Sequence, residues 1–162
     1  MTSDELLARL AALGIPARTV SHPPVFTVEE ARRQRGDLPG TFTKNLFLRD
    51  KKGAMWMVVC REDRPVDLKA LAPRIGANHL SFGSAERLQR HLGVIPGAVS
   101  PFAVVHDADR LVQVVLDREV LGHDPVNLHP LDNGRTTAIA AADLLRFLEA
   151  EGHAPRLLDF PG

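Results

Sequence analysis

The chain has 162 residues, with 20 acidic and 20 basic residues and a hydrophobic content of 44%. This length fits one domain over residues 1–162 with a sizeable core. The zero formal net charge excludes a protein that holds nucleic acid through a large basic field, but not one that grips only the end of an RNA. The single cysteine, Cys60, excludes an intramolecular disulfide and is typical of a reducing compartment.

Nothing in the sequence predicts a membrane or secretory segment. Residues 1–13 alternate charged residues with leucine and alanine, unlike the apolar core of a signal peptide. No apolar run approaches the length of a membrane-spanning helix. We therefore expect a cytoplasmic protein without a membrane partner, and no feature demands more than a monomer.

The N-terminal part of the chain predicts two short helices separated by a strand. A capping box at Thr2–Glu5 begins the first helix, which Gly14 ends. Residues 17–21 are predicted to form a strand, and a second capping box at 27–30 begins the second helix. The glycine- and proline-containing stretch 36–40 predicts a loop.

The remaining strands are predicted mostly as hairpins. Residues 44–49 and 54–60 flank a turn and form the first hairpin, and residues 102–106 and 111–117 are expected to form a second. Further elements are predicted as strands at 126–129 and 135–139 and helices at 68–74, 84–92 and 141–151. Hairpins with interspersed helices indicate an α+β fold, in which a mixed, largely antiparallel sheet curls, or closes into a barrel, between helices.

The segment Thr43–Leu48 is the first candidate for chemistry, because Lys44 and Asn45 stand at the entrance of a strongly apolar strand. Alternate side chains of a strand share a face, so Lys44 lies with Leu46 and Leu48. If that face lines the interior, the ammonium group stands at the mouth of an apolar cavity and suits an ester or a phosphate. The alternative is a strand-end lysine that reaches out to solvent.

The segment Gly97–Pro101 is the second candidate. Pro101 pushes Ser100 away from helical geometry, and Gly97 permits a positive φ. The segment is therefore expected to leave backbone N–H groups that can hold a carbonyl oxygen, an oxyanion or a ribose hydroxyl. The alternative is a rigid connector between a helix and a strand.

Other motifs narrow the possible reactions. His129 follows an apolar strand and precedes Pro130, so it fits a general base, a hydrogen-bond donor to substrate, or a structural histidine bonded to a turn carbonyl. The sequence has no His-Glu-x-x-His pair, Cys/His cluster, Gly-x-Ser-x-Gly motif or glycine-rich phosphate loop. We therefore expect no metal, no other cofactor and no covalent intermediate.

Four segments, in order along nearly the whole chain, resemble one known family. They are His-Pro-Pro-Val-Phe-Thr at 22–27, the strand Thr43–Leu48, the Gly-x-x-x-Pro loop Gly97–Pro101, and the segment 129–137 that begins His-Pro-Leu. The family is the YbaK/ProX group, free-standing relatives of the editing domain inserted in bacterial prolyl-tRNA synthetase. The resemblance implies a metal-free trans-editing deacylase, which hydrolyses the ester of a mischarged tRNA.

The resemblance also implies roles for individual residues. Lys44 becomes the main catalytic residue, whose ammonium group holds the phosphate or carbonyl region of the substrate, and Asn45 supports positioning. The implied substrate-binding residues are Gly97, Ala98, Val99, Ser100, Pro101, His129, Thr43 and Phe47. Among them, the loop cradles the terminal adenosine and the attacking water, and the histidine lines the aminoacyl pocket. A vicinal ribose hydroxyl of the substrate assists proton transfer.

The expected substrate is Ala-tRNA(Pro), with Cys-tRNA(Pro) as the alternative. The Leu-Asp-Asn segment at 131–133 is most similar to the alanine-specific branch of the family. A proline site rejects a smaller apolar amino acid only weakly, because a missing methylene is worth about 1–3 kcal/mol. The expected partners are the tRNA(Pro) acceptor end and prolyl-tRNA synthetase.

Other possibilities stay open. The acceptor end is expected to meet one of two basic groups, which are Arg32, Arg33 and Arg35 or Lys51 and Lys52. A non-catalytic module that binds aminoacyl-tRNA or a synthetase is the main alternative to an enzyme, and a hydrolase of small esters is a third.

Overall fold

A computed structural model describes residues 1–24, 27–35 and 38–160 of the chain. The helices are α1 Ser3–Ala12, α2 Val28–Arg35, α3 Leu68–Ile75, α4 Ala85–Leu92 and α5 Ala141–Ala150. The strands are β1 Arg18–Ser21, β2 Thr41–Arg49, β3 Met55–Arg61, β4 Ser81–Phe82, β5 Val112–Asp117, β6 Val126–Leu128, β7 Arg135–Ile139 and β8 Arg156–Leu158. Within these described ranges, no helix is long and apolar enough to cross a membrane.

The strands form one mixed sheet in the order β1-β7-β6-β2-β3-β5-β8, with β4 paired to β2. The β1–β7, β7–β6, β2–β3 and β2–β4 pairs are antiparallel. The β6–β2, β3–β5 and β5–β8 pairs are parallel. The predicted α+β fold with a largely antiparallel sheet flanked by helices is confirmed, but the sheet stays open and does not close into a barrel.

Apolar groups cover both faces of the central strands. Along β3, Met55, Met57 and Val59 join one cluster, the main core, with side chains from α1, α4 and α5. Trp56 and Val58 join the second core, which packs against α3. A strand buried on both faces reads as a continuous apolar run, and this explains the uninterrupted sequence of β3.

The predicted helix starts are confirmed where their caps are described. Thr2 and Glu5 form a complete capping box at α1. The Asp67 carboxylate accepts backbone N–H groups at the start of α3, and the Ser84 hydroxyl accepts the Arg87 N–H at the start of α4. These local signals lie close in sequence, so they could be read without the tertiary structure.

The predicted second hairpin is wrong. Pro101–His106 is a 3-10 helix, and β5 pairs in parallel with β3 and β8. Pro101 has the fixed φ that suits a first helical position, and the Ser100 hydroxyl accepts the Phe102 N–H. The apolar run 102–106 therefore reads equally well as a strand or as a short buried helix, and its cap decides in favour of the helix.

Candidate functional site

A gap in strand pairing opens the middle of β2. On one side, β6 pairs with β2 only at Thr41 and Phe42, and β4 pairs with it only at Leu48 and Arg49. Residues 43–47 therefore have no paired strand on that side in the described part of the chain. At about 3.3 Å per residue, the gap is roughly 20 Å long. We call this gap the interstrand slot.

The backbone of Asn45 faces the interstrand slot. At one end, the Thr41 N–H donates to the Pro125 carbonyl at 2.8 Å, and at the other the Gly83 N–H donates to the Phe47 carbonyl at 2.9 Å. The N–H and C=O groups of successive strand residues point to opposite edges of the strand. The backbone groups of the odd-numbered residues of β2 therefore point to the side of the slot. Asn45 thus presents one donor and one acceptor to the slot.

Lys44 and Asn45 point to opposite faces of the sheet. Asn45 lies across from Val59, which belongs to the main core. Lys44 shares its face with Leu48, which is fully buried in the second core. The two side chains therefore lie on opposite faces of the sheet beside the slot.

The Lys44 ammonium group makes no hydrogen bond or ion pair with the described residues. It lies across the β2–β3 pair from Cys60 and lowers the pKa of that thiol, but burial has the larger effect and raises the Cys60 pKa to about 11. The thiol therefore stays protonated at neutral pH and packs as a small apolar group. Lys44 is therefore a cation beside the slot that has no ion-pair partner among the described residues.

The loop Gly97–Pro101 begins as a compact turn. Pro96–Ala98 forms a 3-10 turn in which the Ala98 N–H donates to the Ile95 carbonyl at 2.9 Å. Ala98 itself is fully buried in the main core. Gly97 does not adopt the positive φ that the sequence permitted, because a 3-10 turn needs the negative φ of a right-handed helix.

Ser100 holds the loop against the segment that follows β6. Its buried hydroxyl donates to the His129 carbonyl at 2.6 Å and accepts the Phe102 N–H at 3.2 Å. Its backbone is extended, with φ −157° and ψ 163°, as expected for a residue before proline. Two segments that are distant in sequence are therefore joined by one side chain.

The His129 ring is half-buried and its pKa lies below the usual value, mainly because burial disfavours the charged imidazolium. Its Nδ1 lies 2.9 Å from the Arg135 carbonyl, which can only accept, so Nδ1 carries the proton. In the neutral ring, Nε2 is then an acceptor. The His22 ring lies edge-on to it with centroids 6.2 Å apart, and His22 Nε2 is 2.8 Å from the Thr136 hydroxyl.

The register of β2 and β6 relates the position of Lys44 to that of His129. Phe42 pairs in parallel with Asn127. Lys44 and His129 each lie two residues beyond this pair. In extended strands they would therefore stand opposite each other, with side chains on the same face of the sheet. The strands are no longer paired there, so this register, continued beyond the last paired residues, predicts that the two residues flank the interstrand slot.

Thr43 and Phe47 occupy different positions in the site. The Asn45 side-chain amide donates to the Thr43 hydroxyl at 3.3 Å, so Thr43 holds the asparagine on the main-core face. Phe47 is buried in the main core, and a Cβ on Gly83 would come within 2.4 Å of its ring. Phe47 therefore packs into the main core at the end of the slot where pairing with β4 begins.

The predicted basic contacts are only partly available. Arg32 lies in an ion pair with Glu62 at 3.4 Å. Arg33 is exposed, as are the two lysines of the β2–β3 turn, Lys51 and Lys52. The side chain of Arg35 lies outside the described residues.

Two groups beside the site were not predicted as functional. His22 had only its His-Pro-Pro motif as a signal, and its contacts with Thr136 and His129 appear only in the fold. Asp117 is buried and pairs with Arg64 at 2.9 Å, and both influence the Cys60 pKa. Across the described ranges, no three His, Cys, Asp or Glu side chains are grouped to hold a metal ion.

Comparison with known proteins adds a family to this geometry. Residues 22–147 match the aminoacyl-tRNA editing domain family. A zebrafish (Danio rerio) prolyl-tRNA synthetase associated domain-containing protein 1 is 44% identical over 158 residues, covering 96% of this chain and 86% of that protein. The prolyl-tRNA editing protein ProX of Acetoanaerobium sticklandii is 38% identical, covering 95% of this chain and 94% of ProX.

More distant matches extend the comparison. The multifunctional Ser/Thr-tRNA deacylase ProXp-y of Escherichia coli is 28% identical and covers 93% of this chain and 90% of that protein. A solved structure described as a candidate trans-editing enzyme for prolyl-tRNA synthetase superposes with a TM-score of 0.75 at 20% identity. It covers 100% of this chain and 98% of that structure. At this identity, the structural match shows the fold alone.

Proposed function

The chain belongs to the aminoacyl-tRNA editing domain family, and from that premise we propose that it deacylates mischarged tRNA(Pro), with Ala-tRNA(Pro) as its first substrate. The observation that carries the proposal is the interstrand slot, an unpaired edge of β2 with Lys44 on one face of the sheet and Asn45 on the other. A slot with this cation, backbone hydrogen-bonding groups and a neutral imidazole fits an ester joined to a phosphate-bearing ribose.

The opposite orientations of Lys44 and Asn45 suggest a division of roles. Lys44 binds the phosphate side of the terminal adenosine, because its ammonium group has no partner among the described residues. Asn45, on the main-core face, positions the aminoacyl group. The substrate's ester is then held between charge on one face and apolar surface on the other.

His129 and the loop supply the other wall. The Nε2 of neutral His129 accepts a hydrogen bond from the substrate, and its low pKa keeps the ring neutral near pH 7. Gly97–Pro101 cradles the adenosine and the attacking water. Hydrolysis adds the water oxygen to the ester carbonyl carbon, and the ribose oxygen leaves with a proton supplied by the neighbouring ribose hydroxyl or water.

The test is single-turnover deacylation of Ala-tRNA(Pro) and Cys-tRNA(Pro), with Pro-tRNA(Pro) as the cognate control. Lys44→Ala is expected to lower kcat/KM by about 100-fold or more, as for loss of one catalytic electrostatic group. Lys69→Ala is the matched control, because this exposed lysine lies in the first turn of α3 and belongs to neither the slot nor the predicted basic groups. Its activity should stay within about twofold of wild type, since exposed charges interact weakly.

The outcomes separate the alternatives. Faster hydrolysis of Cys-tRNA(Pro) than of Ala-tRNA(Pro) would support the deacylase with a different substrate. Faster hydrolysis of Ser- or Thr-tRNA than of either tRNA(Pro) ester would contradict the tRNA(Pro) assignment. Binding of aminoacyl-tRNA without turnover contradicts the enzyme and supports the binding module. Equal turnover of alanine esters without RNA supports a small-ester hydrolase.

A further inference from the structure

The interstrand slot leaves backbone hydrogen-bonding groups of β2 without a strand partner, and both groups of Asn45 are among them. The N–H and C=O of Asn45 face the gap between β6 and β4, where the described chain offers no strand. Backbone groups at strand positions are nearly always paired, with protein, water or ligand. Residues 44–46 are also half-exposed, unlike the buried residues that follow them in β2. A ligand can therefore reach this edge.

An aminoacyl ester has the matching pair of groups. Its α-ammonium donates where a strand residue has its N–H, and its ester carbonyl accepts where a strand residue has its C=O. Two residues in a hydrogen-bonded antiparallel pair exchange both bonds in this arrangement. One amino acid thus fits the slot as a single added strand residue.

The segments around the slot, residues 43–47, 97–101 and 129–131, contain neither aspartate nor glutamate. The carboxylate nearest in sequence to these segments is Asp132, which acts electrostatically on His129 and accepts the Gly134 N–H at 2.9 Å. The cations there are Lys44 and, when protonated, His129. Within these three segments the acceptors for a positively charged α-amino group include carbonyl and hydroxyl oxygens, and the outward carbonyl of Asn45 faces the slot.

We infer that the aminoacyl group binds as a one-residue extension of the sheet, with its α-ammonium donating to the Asn45 carbonyl and the Asn45 N–H donating to its ester carbonyl. This inference rests on the proposed deacylase function. It specifies that the edge of β2 recognises the α-ammonium and the ester carbonyl of the substrate. The N–H also polarises the carbonyl that water attacks, so recognition of the free α-amine and activation of the ester come from one residue's backbone.

The first test compares L-alanyl-tRNA with L-lactyl-tRNA, in which a hydroxyl replaces the α-ammonium at nearly the same size. Each rate is divided by the spontaneous hydrolysis rate of the same ester, because the ammonium group itself activates esters. The lactyl hydroxyl can still donate a neutral hydrogen bond, which is about half as strong as a charge-assisted one, so kcat/KM for L-lactyl-tRNA should fall about fivefold. Equal normalised rates would overturn the inference while leaving the deacylase intact.

The second test does not need turnover. The probe is 3′-deoxy-3′-(L-alanylamino)adenosine, whose amide resists hydrolysis, and the measurement is hydrogen exchange of backbone amides by NMR. The Asn45 amide should exchange faster than that of Lys44 in the free protein and slow at least about tenfold when the probe is added. The Lys44 amide, which faces β3, is the internal control. If the Asn45 amide exchanges at the same rate with saturating probe, or the probe does not bind, the inference is wrong.

The two tests also distinguish the inference from the proposed function. No hydrolysis of L-alanyl-tRNA, with protection of the Asn45 amide by the probe, would reject the deacylase and keep the binding mode. Hydrolysis of L-alanyl-tRNA without protection of the Asn45 amide would support the deacylase and reject the binding mode.

Discussion

Replacing Ser100 by alanine removes a side chain that joins the loop to His129. The change deletes a 2.6 Å bond to the His129 carbonyl and a 3.2 Å bond from the Phe102 N–H, both at a fully buried site. Each bond contributes about 1 kcal/mol, and a buried carbonyl left without a donor costs a further amount of similar size. We expect the free energy of unfolding to fall by about 2–3 kcal/mol.

The assay is urea unfolding with fluorescence and circular dichroism. For a chain of this length, each kcal/mol lost from the free energy of unfolding lowers Tm by about 2–4 °C. A thermal melt of the variant should therefore show Tm lowered by roughly 5–10 °C. The slope of the free energy with urea should stay unchanged, because the surface exposed on unfolding is the same. A domain with ordinary stability remains folded at 25 °C.

Ser84→Ala is the matched control, since the Ser84 hydroxyl accepts a single N–H, from Arg87, at an exposed helix start. Loss of such a cap costs about 1 kcal/mol. If Ser100→Ala costs no more than Ser84→Ala, the bond to His129 contributes nothing beyond an ordinary cap and the reasoning is refuted. Deacylation by folded Ser100→Ala should also fall relative to folded Ser84→Ala, because only the former releases His129 from the loop.

Three further predictions concern the buried titratable groups. Burial lowers the His129 pKa, so the unfolded chain binds a proton at this ring more readily and the protein loses stability as the pH drops below about 6.5. The urea midpoints at pH 7.5 and 5.5 should therefore differ less in His129→Gln than in wild type, and an equal difference contradicts this. His153 and Asp107 form a buried 2.9 Å pair, so His153→Ala should cost about 3–5 kcal/mol in urea unfolding, whereas a cost below about 1 kcal/mol would show that the pair is not needed. With a pKa of about 11 and no exposed surface, Cys60 should resist iodoacetamide at pH 8 until the protein is unfolded, and rapid labelling of the native protein would show that β3 opens locally.

Features set by neighbouring residues were predictable from the sequence. The capping box at Thr2–Glu5, the caps Asp67 and Ser84, and the β2–β3 hairpin all depend on contacts within a few residues. The alternation that places Lys44 on the face of Leu48 is equally local. These signals were sufficient for the α+β class and for a largely antiparallel sheet.

Features set by distant partners, or by local signals that also fit another element, were not predicted. The run 102–106 looked like a strand, yet packing and the Ser100 cap make it a 3-10 helix. Gly97 could adopt a positive φ, but the turn does not require one. The two-residue strand β4 and the C-terminal strand β8 have too few residues to show a period, and they exist only because β2 and β5 offer free edges.

The candidate site divides in the same way. The sequence by itself determined the chemical groups, because Lys44, Asn45, Gly97–Pro101 and His129 stand in motifs that could be read in order along the chain. Only the tertiary structure decided how they face one another. The early end of β6 and the late start of β4 leave the gap along β2, and this gap turns the Asn45 backbone from a structural element into a pair of available hydrogen-bonding groups. A gap between strands depends on which strands pair and where they stop, and no local pattern of residues encodes that.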